Sequence, residues 1–146
     1  MKSLFRRAVS VLLLCVWAFC LPQSVSQQED VVADDVASAF LNLRGAAHLP
    51  KLNRMGKNVF RQQVCTHDLR FPSGLIKSVV YESSDPVQLP EAARQLAVAP
   101  DSGKTAARFG IGVCSISTKS TGGPLFSMVI ATYESRQTSF WRIFWD

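Results

Sequence analysis

The stretch Arg108–Glu134, RFGIGVCSISTKSTGGPLFSMVIATYE, sets the tightest limit on what this chain folds into. Phe109, Ile111 and Val113, continuing to Ser115, alternate onto one face of an extended segment, and Leu125–Ala131 is a run of large apolar side chains. Between them, Lys119 to Pro124 carries two glycines that permit positive φ, so the pattern predicts two antiparallel strands joined by a turn. A hairpin this apolar needs a covering layer. Gly110-Ile111-Gly112 lies within the first strand and lacks a third glycine before a helix, so it is no nucleotide fingerprint. Glycine at those positions instead lets a neighbouring element approach the sheet closely.

The compartment follows from the amino terminus. Lys2, Arg6 and Arg7 precede an apolar core from Ala8 to Leu21, with small residues at Ser24 and Ser26. That is the pattern of an export signal, with cleavage expected before Gln27. The core falls short of the roughly 20 apolar residues of a bilayer span and is followed by Pro22, so membrane contact is expected only through the signal peptide before its removal. Phe19 ahead of Cys20 is a poor fit to lipidation. The expected product, residues 27–146, is a single secreted or periplasmic domain.

Removing the signal takes three basic residues and no acidic ones, leaving thirteen Lys and Arg against eleven Asp and Glu, a net of +2. So small an excess gives no argument for nucleic acid. Cys15 and Cys20 also leave, which pairs Cys65 with Cys114. An even pair in an oxidising compartment favours one disulfide, closing a loop of about 50 residues and stabilising by roughly 3 to 4 kcal/mol. Two other readings stay open: buried free thiols, or Cys65 as a nucleophile beside His67. The second is disfavoured because residues two apart do not face each other on a helix.

In chain order, Val32, Val36, Phe40 and Leu43 recur at helical spacing over Glu29–Arg44, with Glu29, Asp30, Asp34 and Asp35 suited to the positive end of a helix dipole. Gly45 ends this helix and Pro50 delays the next. A second helix is predicted over Asn53–Thr66, with Asn53 as N-cap and Leu52, Met55, Val59 and Val64 near one face. Leu75–Tyr81 reads as a strand. Asp85-Pro86 marks a turn, and Leu89–Ala97 a short helix with Pro90 at its first position. The sum is an α+β domain in which helices cover an antiparallel sheet.

Two segments suggest contact with a partner. Arg54, Lys57 and Arg61 follow helical spacing on the side of the second predicted helix opposite its apolar stripe. The competing reading is an ordinary solvated face. The tail SFWRIFWD holds Trp141 and Trp145, and as a strand it would have two apolar faces; it either docks as an edge strand or binds a partner.

The pattern AFLNLRGAAHLPKLNR resembles the opening of the CAP superfamily (the cysteine-rich secretory, antigen 5 and pathogenesis-related proteins), where a helix carrying Leu-Asn-x-x-Arg is followed by a Leu-Pro-x-Leu connector. RFGIGVCSISTKSTGGPLFSMVIATYE is similar to that family's closing hairpin, and VVYESSDPVQLPEAARQLA resembles a divergent branch of short bacterial exported members. The resemblance implies an α-β-α sandwich. It also exposes a departure: the family's full cleft holds a divalent cation between two histidines and two glutamates, within motifs that include Gly-Glu-Asn, and those motifs are absent. His48 lies within the connector, and His67 falls too early after it to stand for the first histidine. Neither a metal nor another cofactor is therefore expected.

Catalytic groupings fail for similar reasons. Asp34 and Asp35 point to different faces of a helix and cannot flank one bond. Ser83-Ser84-Asp85 has no Gly-x-Ser-x-Gly elbow. The sequence therefore predicts a non-catalytic, exported binding domain that recognises a protein, lipid or envelope component. Two alternatives stand beside it: an enzyme in which His67, Asp68 and Glu82 or Glu91 converge in one pocket, and a subunit of an envelope assembly.

Overall fold

A computed structural model describes residues 24–98, 105–116 and 123–135. The apolar core of the predicted signal, the predicted connector around Pro100, the segment between the two predicted hairpin strands and the aromatic tail with Trp141 and Trp145 lie outside the described residues. Among the described residues the elements follow in the order α1 (Val25–Ala46), β1 (Asn53–Arg54), α2 (Arg61–Cys65), β2 (Leu75–Ser83), α3 (Glu91–Val98), β3 (Ala106–Ile116) and β4 (Leu125–Glu134). The domain is α+β, with a four-stranded sheet in the order β1-β3-β4-β2.

The hairpin organises it. β3 and β4 pair antiparallel, with Ile111 opposite Ile130 and Val113 opposite Met128, and β2 pairs antiparallel with the other side of β4. Only the two-residue β1 runs parallel, beside β3. One face of the sheet presents Phe109, Ile111, Val113, Phe126, Met128 and Ile130 to α1 and α3. The other presents Val129, Ala131 and Tyr133 to Phe60 and Val64. β4 is covered on both faces, which is why Met128–Ala131 is a continuous apolar run instead of alternating.

α1 begins at Val25, four residues before the predicted start, because Ser24 and Gln27 form a reciprocal capping box. The cleavage point expected before Gln27 therefore falls in its first turn. Val32, Ala33, Val36, Ala37 and Phe40 form the buried stripe, and Phe40 packs on Phe109 with ring centroids 5.3 Å apart. The stripe continues at both ends into charged residues, Glu29 and Arg44, both buried.

The second predicted helix is corrected. Asn53 and Arg54 form β1, Gly56 has φ 138°, and helix resumes only over Arg61–Cys65. The edge of β3 outcompetes the helical pattern. Met55 N donates to Phe109 O at 2.9 Å and Phe60 N to Ile111 O at 3.2 Å. Asn58 acts as a surrogate strand: its Oδ1 accepts from Val113 N at 2.8 Å while its Nδ2 donates to Val113 O at 3.1 Å. These bonds occupy an edge that would otherwise be open, an outcome helical periodicity alone does not reveal.

The close approach depends on Gly110 and Gly112. A Cβ on Gly112 would sit 2.6 Å from the Phe60 carbonyl oxygen, and one on Gly110 would sit 2.3 Å from the Phe60 ring. The 58–65 segment therefore lies directly on the backbone of β3, as glycine within a strand suggests.

Candidate functional site

The basic residues singled out from the sequence do not share a helix face. Arg54 sits on β1 and donates from Nη1 to Asp34 Oδ1 at 2.7 Å, and it also donates to the Lys57 carbonyl. Arg61 donates from Nε to Glu29 Oε2. Lys57 is exposed. Acids of α1, read from sequence as partners of the helix dipole, instead face the 54–61 segment and neutralise two of its three cations.

Glu29 is the buried, bonded carboxylate that sequence reasoning missed. It is 1% exposed. Oε1 accepts from Ser115 N at 3.0 Å, continuing the row of bonds along the β3 edge, while Oε2 takes Arg61. That hydrogen bond and charge hold the Arg61 guanidinium still more firmly protonated than usual. The only available signal was position: Glu29 stands three residues before Val32 and four before Ala33, in line with the buried stripe.

Beside it, Cys65 at the end of α2 and Cys114 on β3 are joined in a disulfide with Cα atoms 5.3 Å apart. The free-thiol and nucleophile readings are thereby removed. A Glu29 carboxylate oxygen and the two sulfurs lie within 4.8 Å of one another, the sole such cluster of three metal-ligating side chains among the described residues.

The residues of the enzyme alternative are placed separately. His67 is exposed in the turn after α2, with φ 55°. Asp68 accepts two bonds from Arg70, at 2.8 and 2.6 Å, which hold its carboxyl below the usual range. Glu82 is exposed near the end of β2, and Glu91 opens α3 and pairs with Arg94 at 2.9 Å. Among the described residues, no hydrogen bond or ion pair joins His67 to any of these acids.

Two clefts flank the carboxyl-terminal half of α1. One, about 360 Å³, runs between α1 and the segment entering α3, lined by Ala39, Leu43, Val87, Leu89 and Arg94. The other, about 400 Å³, is lined by Ser38, Leu41, Asn42, Arg44, Leu49 and Lys51. Neither has an acidic lining residue. Arg44 is 5% exposed and bonds only to carbonyls, Nε to Pro50 O at 2.7 Å and Nη1 to Ala97 O at 3.3 Å. Among the described residues its charge is thus balanced by dipoles, including the carboxyl-terminal end of α3, without a carboxylate.

A third cleft, about 340 Å³, includes Tyr81, Ser83, Leu89 and Arg94. The Tyr81 hydroxyl has no hydrogen-bond partner among the described residues, and burial pushes its phenol above the ordinary tyrosine range. Among the described residues no helix is long and apolar enough to cross a membrane. No family model, curated protein or solved structure matches the chain.

Proposed function

We propose that this chain is an exported, CAP-like binding domain without catalytic activity, and that it recognises an anionic amphiphile of the cell envelope along α1. The observation that carries this reading is the cleft of about 400 Å³ in which Arg44 and Lys51 supply two positive charges, Leu41 and Leu49 supply apolar wall, and no acid lines the space. An apolar tail gains from leaving water, and an anionic head supplies the carboxylate or phosphate that Arg44 lacks. The neighbouring cleft repeats the combination, with Leu43, Val87 and Leu89 beside Arg94. The arginine there is already paired with Glu91, so the Arg44 side is the stronger candidate.

This reading moves the recognition surface from Arg54 and Arg61, which hold α1 acids, to the clefts beside α1. Lys57 and the tail tryptophans Trp141 and Trp145 remain contacts for the envelope surface from which such a ligand is taken.

The test uses the full chain expressed in an export-competent host, titrated by calorimetry with a long-chain fatty acid and with the alcohol of the same length. The acid is expected to bind at least about tenfold more tightly, the factor that one charge-assisted contact supplies. Lys51→Glu should remove that preference while leaving weak alcohol binding. Equal binding of the two compounds, binding of neither, or an unchanged preference in Lys51→Glu rejects the proposal. Capture of a protein in place of lipid from a detergent extract rejects it in favour of protein recognition.

A further inference from the structure

We propose that reduction of the Cys65–Cys114 bond opens a site for a thiophilic divalent cation such as Zn²⁺, formed by the two cysteine thiolates and the Glu29 carboxylate. It is independent of the clefts beside α1. The three donor atoms already lie within 4.8 Å of one another. Tetrahedral zinc, with Zn–S about 2.3 Å and Zn–O about 2.0 to 2.2 Å, sets its donors roughly 3.5 to 3.8 Å apart, so after reduction the two sulfurs separate from bonding distance by about 1.7 Å, roughly 0.9 Å each, with the carboxylate oxygen moving in by about 1 Å. Both cysteines are half-buried, which gives the ion an entry path, and three protein ligands leave a fourth position for water.

Charge supports the same composition. Two thiolates and a carboxylate carry three negative charges in a site where Glu29 is fully covered. A divalent cation together with the Arg61 guanidinium balances them, whereas the reduced, deprotonated site without metal is strongly anionic. Arg61 does not block the ion: it bonds Glu29 through Oε2, while Oε1 accepts one bond, from Ser115 N, and keeps a second lone pair for the metal. The donor set also selects the metal: thiolate ligands favour Zn²⁺ over Mg²⁺ or Ca²⁺.

The reductant is a dithiol. It gives two electrons and two protons to the disulfide and becomes a disulfide itself, leaving Cys65 and Cys114 as thiols. Metal binding then forms two metal–sulfur bonds and releases those two protons. In an oxidising compartment the site stays closed, and it opens only where a dithiol reaches it.

The test compares oxidised and dithiol-reduced full chain titrated with Co²⁺, followed by displacement with Zn²⁺. The reduced protein should bind one cobalt per chain with a thiolate-to-cobalt charge-transfer band, and the oxidised protein should show none. Glu29→Gln, which keeps an acceptor for Ser115 N, should weaken Zn²⁺ by about 10- to 100-fold and alter the cobalt spectrum. Glu29→Asp keeps the charge but shortens the reach, and it should also weaken binding if the first variant does not fold. If reduction unfolds the metal-free chain, Zn²⁺ should restore its native circular dichroism. Absence of the charge-transfer band, equal binding by the oxidised protein, unchanged affinity in the Glu29 variants, or failure of Zn²⁺ to refold a reduced, unfolded chain overturns the proposal.

Discussion

Replacing Gly112 with alanine tests the packing on which the whole β3 edge depends. The added Cβ would lie 2.6 Å from the Phe60 carbonyl oxygen, 2.7 Å from its carbonyl carbon and 2.8 Å from Val129 Cγ1. Two of these three atoms belong to backbone, and the Phe60 residue that carries them is pinned by its amide bond to Ile111 O. Relief therefore requires the 58–65 segment to lift from the sheet. Overpacking of this kind costs typically 1 to 3 kcal/mol, and the involvement of backbone places Gly112→Ala near the upper end, at about 3 kcal/mol. For a domain of this size that is a loss of roughly 10 °C in Tm. At Gly110 the nearest atoms belong to the Phe60 and Val59 side chains, and Val59 is partly exposed, so Gly110→Ala should cost less, about 2 kcal/mol. Gly45, near the end of α1, has nothing within 4 Å of its added Cβ, and alanine there should stabilise by roughly 0.5 kcal/mol through the unfolded chain. Urea denaturation of the three variants with the disulfide intact measures all three values. A Gly112→Ala protein within about 0.5 kcal/mol of the parent, or one less affected than Gly110→Ala, would refute the close approach of Phe60 to β3.

Cys65→Ser and Cys114→Ser should each lose about 4 kcal/mol, the chain-entropy value for a bridge spanning 49 residues, and the two losses should agree; unequal losses in thermal denaturation, or thiol labelling of both cysteines in the native protein, would count against the bond. Tyr81→Phe should be neutral or stabilising by up to about 1 kcal/mol at neutral pH, because it deletes a buried hydroxyl that has no partner. Tyr81 also gives a sign in alkali: its folded pKa is raised by burial, so above the unfolded value of 10.0 the unfolded chain loses the proton first and stability falls as pH rises. Denaturation from about pH 9 to about pH 11 should show a shallower decline for Tyr81→Phe than for the parent, with the remaining slope assigned to Tyr133, which is shifted in the same direction. Identical slopes would mean that Tyr81 is open to solvent.

The strands were legible because their signals were local. Alternation at Phe109, Ile111 and Val113, the apolar run of β4 and the Leu75–Tyr81 segment all sit where their patterns put them. α3 forms where expected but begins at Glu91, one residue after the Pro90 predicted to open it. The failure over 53–60 has an equally specific cause. Apolar residues there do recur at helical spacing, but Phe60 faces the sheet because β3 has glycines beneath it and Asn58 bonds both polar groups of Val113. Those partners lie some fifty residues away, beyond the reach of any periodicity. The basic spacing of Arg54, Lys57 and Arg61 was a consequence of the same misreading, since the residues between them are not helical.

Charge placement along α1 shows why a pattern of acids at a helix start was ambiguous. A carboxylate near the amino terminus gains from the helix dipole while exposed, a contribution of roughly 0.3 to 1 kcal/mol that leaves it free in solvent. Glu29 does something different: it stands in the apolar stripe, where burial is tolerable only because Ser115 N and Arg61 both donate to it. Arg44 mirrors it fifteen residues later along the same stripe, buried against carbonyls from the connector and from α3. The two ends of α1 are therefore fixed by complementary means. Glu29 ties the helix to β3 and the disulfide, and Arg44 ties it to the loop and helix that border the clefts. Of these two buried charges, Arg44 alone has no opposite charge bonded to it among the described residues, which is why the proposed anion is assigned to the Arg44 end of α1 and not to the Glu29 end.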